Sequence, residues 1–158
     1  MELPKRKPTR LKGYVYRAPG AYFITICTHD REELLSKIIV GEGLCTLPQN
    51  ILTPIGIEVE NSIQYINKNY VGVEIEKYVV MPNHIHLIVN LNDSGGHGNP
   101  PLQNIIGQLK SYTTNKFGGV LWQRSFHDHI IRDENDYKKT WEYIDTNVIK
   151  WKTDCFYN

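Results

Sequence analysis

The sequence lacks the features that would place it in a membrane or staple it covalently. It has no run of about 18 apolar residues, which excludes a helical membrane span. Its first residues, Met1-Glu2-Leu3-Pro4-Lys5-Arg6-Lys7, are basic, but no apolar stretch follows them, so a secretory signal is not expected. Cysteine is scarce. Cys27, Cys45 and Cys155 are odd in number and far apart, which fits neither a disulfide framework nor a zinc pattern and suits a reducing cytoplasm. No internal repeat occurs. The net charge of +1 gives no bulk sign of a nucleic-acid partner. What is present is ordinary for one globular domain spanning residues 1–158: 41% hydrophobic and 22% charged residues are enough for a core and a solvated surface.

The placement of charge says more than its sum. Lys5, Arg6, Lys7, Arg10, Lys12 and Arg17 stand against Glu2 alone near the start. Residues 1–19, punctuated by Pro4, Pro8 and Pro19-Gly20, therefore read as an irregular basic arm suited to binding phosphate, or else as a solvated tail.

Periodicity then marks the elements. Tyr22–Thr28 is dense in β-branched and aromatic residues and apolar on both faces, which predicts a central strand. Ile38–Val40 and Leu44–Leu47 around Gly41-Glu42-Gly43 predict a small hairpin. Thr53 as N-cap and Pro54 at the first helical position open a helix carrying Ile55, Val59, Ile63, Ile66 and Tyr70 at helical spacing. Val73–Met81 and His84–Leu91 read as two strands joined through Pro82-Asn83. Asn92 to Pro101 is a linker, and His97 within it reads as a loop residue. A second helix carries Leu102, Ile105, Ile106 and Leu109 and ends near Phe117-Gly118-Gly119. Phe126–Arg132 is a further strand, and a last helix runs from Asp133 or Glu134 to about Lys150. The order predicts an α+β fold, an antiparallel sheet with helices packed on it.

Two stretches carry candidate chemistry. In His84-Ile85-His86-Leu87 the strand alternation turns both imidazoles to one face, where they could grip one cation. It turns the apolar neighbours to the other face, so the imidazoles themselves are expected to contribute little burial. The alternative is a pair of polar residues facing solvent. On the last helix, Tyr137, Trp141, Ile144 and Val148 form the apolar stripe. Tyr143 and Asn147, four apart, share a face about 100° away from it. Tyr143 is thus free to offer its hydroxyl, or is a flanking aromatic at the edge of the core. His127-Asp128-His129 is a second histidine pair, which could join the first or belong simply to the sheet. Trp122 could stack on a base or pack under the sheet, and packing is the preferred reading.

Four segments occur in order: Gly20-Ala21-Tyr22-Phe23-Ile24-Thr25-Ile26-Cys27-Thr28-His29, Val79-Val80-Met81-Pro82-Asn83-His84-Ile85-His86, Leu121-Trp122-Gln123-Arg124-Ser125-Phe126-His127-Asp128-His129-Ile130-Ile131-Arg132 and Trp141-Glu142-Tyr143-Ile144-Asp145-Thr146-Asn147. Together they resemble the single-tyrosine HUH transposases, specifically the REP-associated tyrosine transposases, from about Arg10 to Trp151.

The resemblance implies a ferredoxin-like (RRM-like) sheet with His84 and His86 on a central strand. It implies a Mg²⁺ or Mn²⁺ ion at that pair and Tyr143 as the nucleophile that forms a 5′-phosphotyrosine with single-stranded or hairpin DNA. Asn147 stands where related insertion-sequence enzymes place a ligating glutamine and is one methylene shorter. Val148 stands where the family commonly has proline. Lys110 and Arg124 match positions that are usually basic in the family. They join Arg132 and the arm residues Lys5, Arg6, Lys7, Arg10 and Lys12 as candidate DNA-binding residues. In related enzymes the tyrosine helix can pass between subunits, which leaves a homodimer open. Two rival readings remain. One is a non-catalytic module that binds single-stranded nucleic acid, for which the histidine pair and Tyr143 are unnecessary. The other is a four-histidine metalloenzyme of the cupin type, which would want a glutamate where Val89 and Asn90 stand.

Overall fold

The computed structural model describes residues 16, 18–43, 46–93 and 100–157. Its main sheet has four antiparallel strands: β1 (Gly20–Cys27), β4 (Val73–Val80), β5 (His84–Leu91) and β6 (His127–Ile131), in the order β4-β5-β1-β6. Strands β2 (Ser36–Ile39) and β3 (Gln49–Leu52) form a separate antiparallel ribbon. With α1 (Pro54–Asn69), α2 (Leu102–Phe117) and α3 (Glu134–Thr146), the main chain path is β-α-β-β-α-β followed by a helix. This is the α+β arrangement that the element order predicts, in the ferredoxin-like form that the resemblance implies.

The alternation within β1 and β5 explains how both sheet faces are used. Tyr22, Ile24 and Ile26 are fully buried on one face, level with Val89, Leu87 and Ile85 of β5. Val59, Ile63 and Ile66 of α1 and Leu102, Ile105, Ile106 and Leu109 of α2 close over that face as the main core. The other face carries Phe23 and Thr25 of β1, level with Ile88 and His86. Helix α3 lies on this second face. Lys77 of β4 forms an ion pair with Asp145 and sits over the Trp141 ring, 4.6 Å from its centroid.

Local signals set the helix ends. The Thr53 hydroxyl accepts from Gly56 N at 3.2 Å, and Pro54 needs no donor partner at the first position. Gly118 closes α2 at φ 77°, a conformation that favours glycine. The Asp133 carboxylate caps α3 through Asp136 N at 2.8 Å.

Two boundaries differ from the sequence expectation. The second arm of the small hairpin is Gln49–Leu52, later than predicted. Pro48 has no N–H for a ladder, and the Thr46 hydroxyl bonds Gly41 O and Gly43 O; Leu44 and Cys45 of the predicted arm lie outside the described residues. Helix α3 stops at Thr146 and not near Lys150. Asn147 N bonds Ile144 O, an i→i+3 bond, and a short 3₁₀ turn follows at Trp151–Thr153. The basic arm up to residue 15 and Arg17, together with Cys45 and His97, lies outside the described residues.

Candidate active site

His84 and His86 sit side by side on the second face of β5, with ring centroids 4.6 Å apart. The sequence expectation that they carry little burial is wrong. They are 0% and 1% exposed, because α3 and the segment after it cover this face. The Phe156 ring lies 4.4 Å from that of His84, and Phe23 stacks on His86 at 5.1 Å.

Neighbouring side chains decide which nitrogens are available. Asn83 Nδ2 donates to Phe156 O at 2.7 Å and to Arg31 O at 3.3 Å, which turns Asn83 Oδ1 towards His84. His84 Nδ1 lies 2.8 Å from that oxygen and must donate to it. His84 Nε2 therefore keeps its lone pair for another partner. His86 Nδ1 is 2.8 Å from the Thr25 hydroxyl. Both Nε2 atoms are buried with no hydrogen-bond partner.

Asn147, 2% exposed, presents a third such atom. Its Nδ2 donates to Asp154 Oδ2 at 3.1 Å, so its Oδ1 is the atom turned inward, buried and without a partner. The Asn147 side chain acts on both His84 and Tyr143. His84 Nε2 and Asn147 Oδ1 are both acceptors and cannot satisfy each other, and His86 Nε2 joins them when His86 Nδ1 donates to the Thr25 hydroxyl. Such a group is costly to bury unless a cation joins it. Nitrogen and oxygen donors without thiolate suit a hard or borderline divalent ion, so these residues fit the Mg²⁺ or Mn²⁺ that the resemblance implies. Among the described residues, His84, His86 and Asp154 form a possible metal-holding group, their ligand atoms within 4.8 Å of one another. Asp154 was not singled out from the sequence. It lies seven residues past Asn147 in an irregular segment, where no periodicity marks a shared face.

Burial favours the neutral form of both histidines. It depresses the basicity of His84 first, and of His86 first with the neighbouring His84 second. Their folded-state values lie below the unfolded value of about 6.5, so the unfolded chain binds more protons in mild acid. The stability they contribute is full above about pH 6.5 and is lost as pH falls below it. Melting temperature should accordingly drop on acidification below about pH 6.5, and His84→Ala or His86→Ala should flatten that slope. Equal slopes in the variants would locate the acid loss elsewhere.

Tyr143 stands beside the pair, its ring 5.2 Å from His86 and 6.0 Å from Phe23, and it is 39% exposed. One side is thus packed and the other open to a substrate. Burial, then the charge of Asp154, raises its pKa above the usual phenol value. Tyr137 is differently placed: its hydroxyl is bonded to Glu76, and burial followed by that bond pushes it up to about 12.

The remaining candidates lie around this centre. His127 is level with Thr25 on the side away from His86, and His129 is bonded to Asp136 at 2.8 Å, so neither shares the first pair's buried space. Trp122 is packed, its Nε1 donating to the Thr113 hydroxyl at 2.8 Å. Lys110 donates to Gln123 O at 2.7 Å and Arg124 O at 3.1 Å, which ties the segment from 121 to 125 to α2. Arg124 and Arg132 are both exposed. Lys5, Arg6, Lys7, Arg10 and Lys12 fall outside the described residues. Among the described residues, no helix is long and apolar enough to cross a membrane.

Comparison with known proteins gives this centre a context. No protein-family model matches the chain. An uncharacterized protein of Haemophilus influenzae is 34% identical over 174 residues, covering 96% of this chain and 93% of its own. The REP-associated tyrosine transposase of Escherichia coli is 32% identical over 78 residues, covering 49% of this chain and 45% of its own. A solved structure of a REP-associated tyrosine transposase bound to a REP hairpin superposes with a TM-score of 0.65 at 24% identity, covering 96% of this chain and 74% of that one. The chain therefore belongs to one family with the Haemophilus influenzae protein, is similar over about half its length to the Escherichia coli REP-associated tyrosine transposase, and shares the fold of the solved one.

Proposed function

We propose that the chain is a metal-dependent transposase that nicks and rejoins single-stranded or hairpin DNA through Tyr143. The observation that carries this reading is the set of three buried polar atoms without partners, His84 Nε2, His86 Nε2 and Asn147 Oδ1, beside a half-open tyrosine. A module that only binds nucleic acid has no use for such a set. The whole chain, residues 1–158, acts as one domain, with residues 1–19 as its basic arm.

Tyr143 Oη attacks the phosphorus of the scissile phosphodiester. Its proton leaves, the bond from phosphorus to the 3′ oxygen breaks, and that oxygen departs protonated as a 3′-hydroxyl. The phosphate remains on Tyr143 as a 5′-phosphotyrosine. This ester keeps the energy of the broken linkage, so a second 3′-hydroxyl can reverse the steps on a new strand without ATP. When bound, Mg²⁺ or Mn²⁺ supplies a Lewis acid that draws charge from the phosphate and orients it. The chain's own contribution is positional. Asn83 and Thr25 fix the two imidazoles, burial keeps them neutral, and Phe23 packs against both His86 and Tyr143. Tyr143 remains protonated near neutral pH, so deprotonation accompanies attack.

One relative is described as bound to a REP hairpin, and hairpin DNA is the substrate we assign to this chain. Lys5, Arg6, Lys7, Arg10 and Lys12, with Arg124 and Arg132, hold its phosphates, and Lys110 sets the segment that carries Arg124. Deleting residues 1–12 should weaken DNA binding and flatten its salt dependence by about 0.7 to 0.9 units for each phosphate the arm neutralises. An unchanged slope would make the arm a tail only. In this reading Tyr143 serves the histidines of the chain whose sheet α3 packs on, with a homodimer left open. Mixing Tyr143→Phe chains with His84→Ala chains should therefore restore no activity; restored activity would show the tyrosine acting in trans.

The direct test is incubation with a single-stranded suicide substrate and Mn²⁺. A covalent protein–DNA adduct is expected, and its absence in the wild-type chain would remove the catalytic reading.

A further inference from the structure

Asp154 brings a carboxylate to the buried end of the site. One of its oxygens lies within 4.8 Å of a ring nitrogen of each histidine. Its two oxygens are held separately: Oδ1 accepts from Phe156 N at 2.8 Å and Oδ2 accepts from Asn147 Nδ2 at 3.1 Å. Each oxygen keeps a lone pair beyond that bond. No salt bridge to Asp154 forms among the described residues. A carboxylate fixed in position beside three buried polar atoms without partners adds negative charge that a bound cation would balance.

We propose that Asp154 is itself a ligand of the metal ion, supplied by the segment after α3, and that it also turns Asn147 so that the amide oxygen faces the ion. The inference rests on the reading of His84 and His86 as metal ligands. It makes residues 151–157 part of the active site. Three features of that segment agree with the role. Trp151 is buried 5.9 Å from the His84 ring, Phe156 packs on His84, and Asn83, which orients His84, is anchored to Phe156 O. The carboxylate thus enters on a segment already fastened to the histidines it would serve. Two imidazoles with one carboxylate form a donor set suited to Mn²⁺ and similar ions, and an added amide oxygen still leaves part of an octahedral shell for phosphate.

The test is Mn²⁺ binding to the full chain without DNA, followed by the loss of the free-ion signal in electron paramagnetic resonance. Asp154→Asn should raise the dissociation constant tenfold or more. The same substitution in an Asn147→Ala background should raise it again, because a ligand contributes apart from the residue it orients. Asp154→Asn within twofold of wild type, or no added loss in the Asn147→Ala background, would overturn the inference. His84→Ala separates the two levels. If it abolishes binding while Asp154→Asn does not, only the Asp154 assignment fails. If it binds as wild type does, the metal reading beneath fails as well. Asp154→Cys in a Cys155→Ser chain guards against simple loosening of the segment. A thiolate ligand should shift the ratio of Cd²⁺ to Mn²⁺ affinity at least tenfold towards Cd²⁺, and an unchanged ratio would count against direct ligation.

Discussion

Replacing Tyr143 with phenylalanine should abolish covalent adduct formation while leaving DNA affinity and melting temperature close to wild type. The ring is what packs: its edge meets His86 and Phe23, and phenylalanine keeps that packing. The hydroxyl is what reacts, and its removal leaves no oxygen to hold the phosphate. Loss should reach the detection limit, since Tyr143 is the tyrosine whose ring packs directly against His86. Tyr137 is the nearest rival by type, but its hydroxyl is committed to Glu76 and its pKa is pushed up to about 12. Adduct persisting in Tyr143→Phe at more than a trace would move the nucleophile, and Tyr137→Phe would be the next substitution to measure.

Replacing His84 or His86 with alanine should have two separable effects. Metal-dependent cleavage should vanish, because a ligand nitrogen is gone and few donors remain to offset dehydration of the ion. The double variant should cleave little worse than either single one, since the pair acts as a unit. The fold should also weaken by about 2 to 4 kcal/mol. Each ring is fully buried, so truncation opens a cavity under Phe156 or Phe23. It also strands a buried partner, Asn83 Oδ1 for His84 or the Thr25 hydroxyl for His86. Calorimetry and cleavage at a temperature well below the variant's melt distinguish the two losses. A variant that stays as stable as wild type would contradict the burial argument, and one that cleaves at the wild-type rate would contradict the metal argument.

Much of this architecture was legible because the signals are local and periodic. Thr53-Pro54 opens α1 and Gly118 closes α2 as their backbone chemistry demands. Alternation in His84–Val89 told which side chains share a face. What alternation cannot tell is what covers that face. The histidines read as half-exposed because α3 and Phe156 meet them only through tertiary packing, many residues away in the chain. Asp154 escaped for the same reason. It lies in an irregular segment and reaches the site through a hydrogen bond to Asn147, which a sequence pattern does not encode. The end of α3 was misplaced because Asn147 is a tolerable helix residue by propensity, and its own backbone angles are still helical.

The central claim is that Tyr143 becomes covalently joined to DNA beside a metal held by His84 and His86. The most direct measurement is mass spectrometry of the wild-type chain after reaction with a single-stranded suicide substrate in Mn²⁺, digested to find the nucleotide-bearing peptide. The account predicts a phosphodiester-linked nucleotide on Tyr143, absent when the ion is chelated and absent in His84→Ala. A nucleotide mapped to any other residue, or an adduct at Tyr143 that forms equally well in chelator, would contradict it.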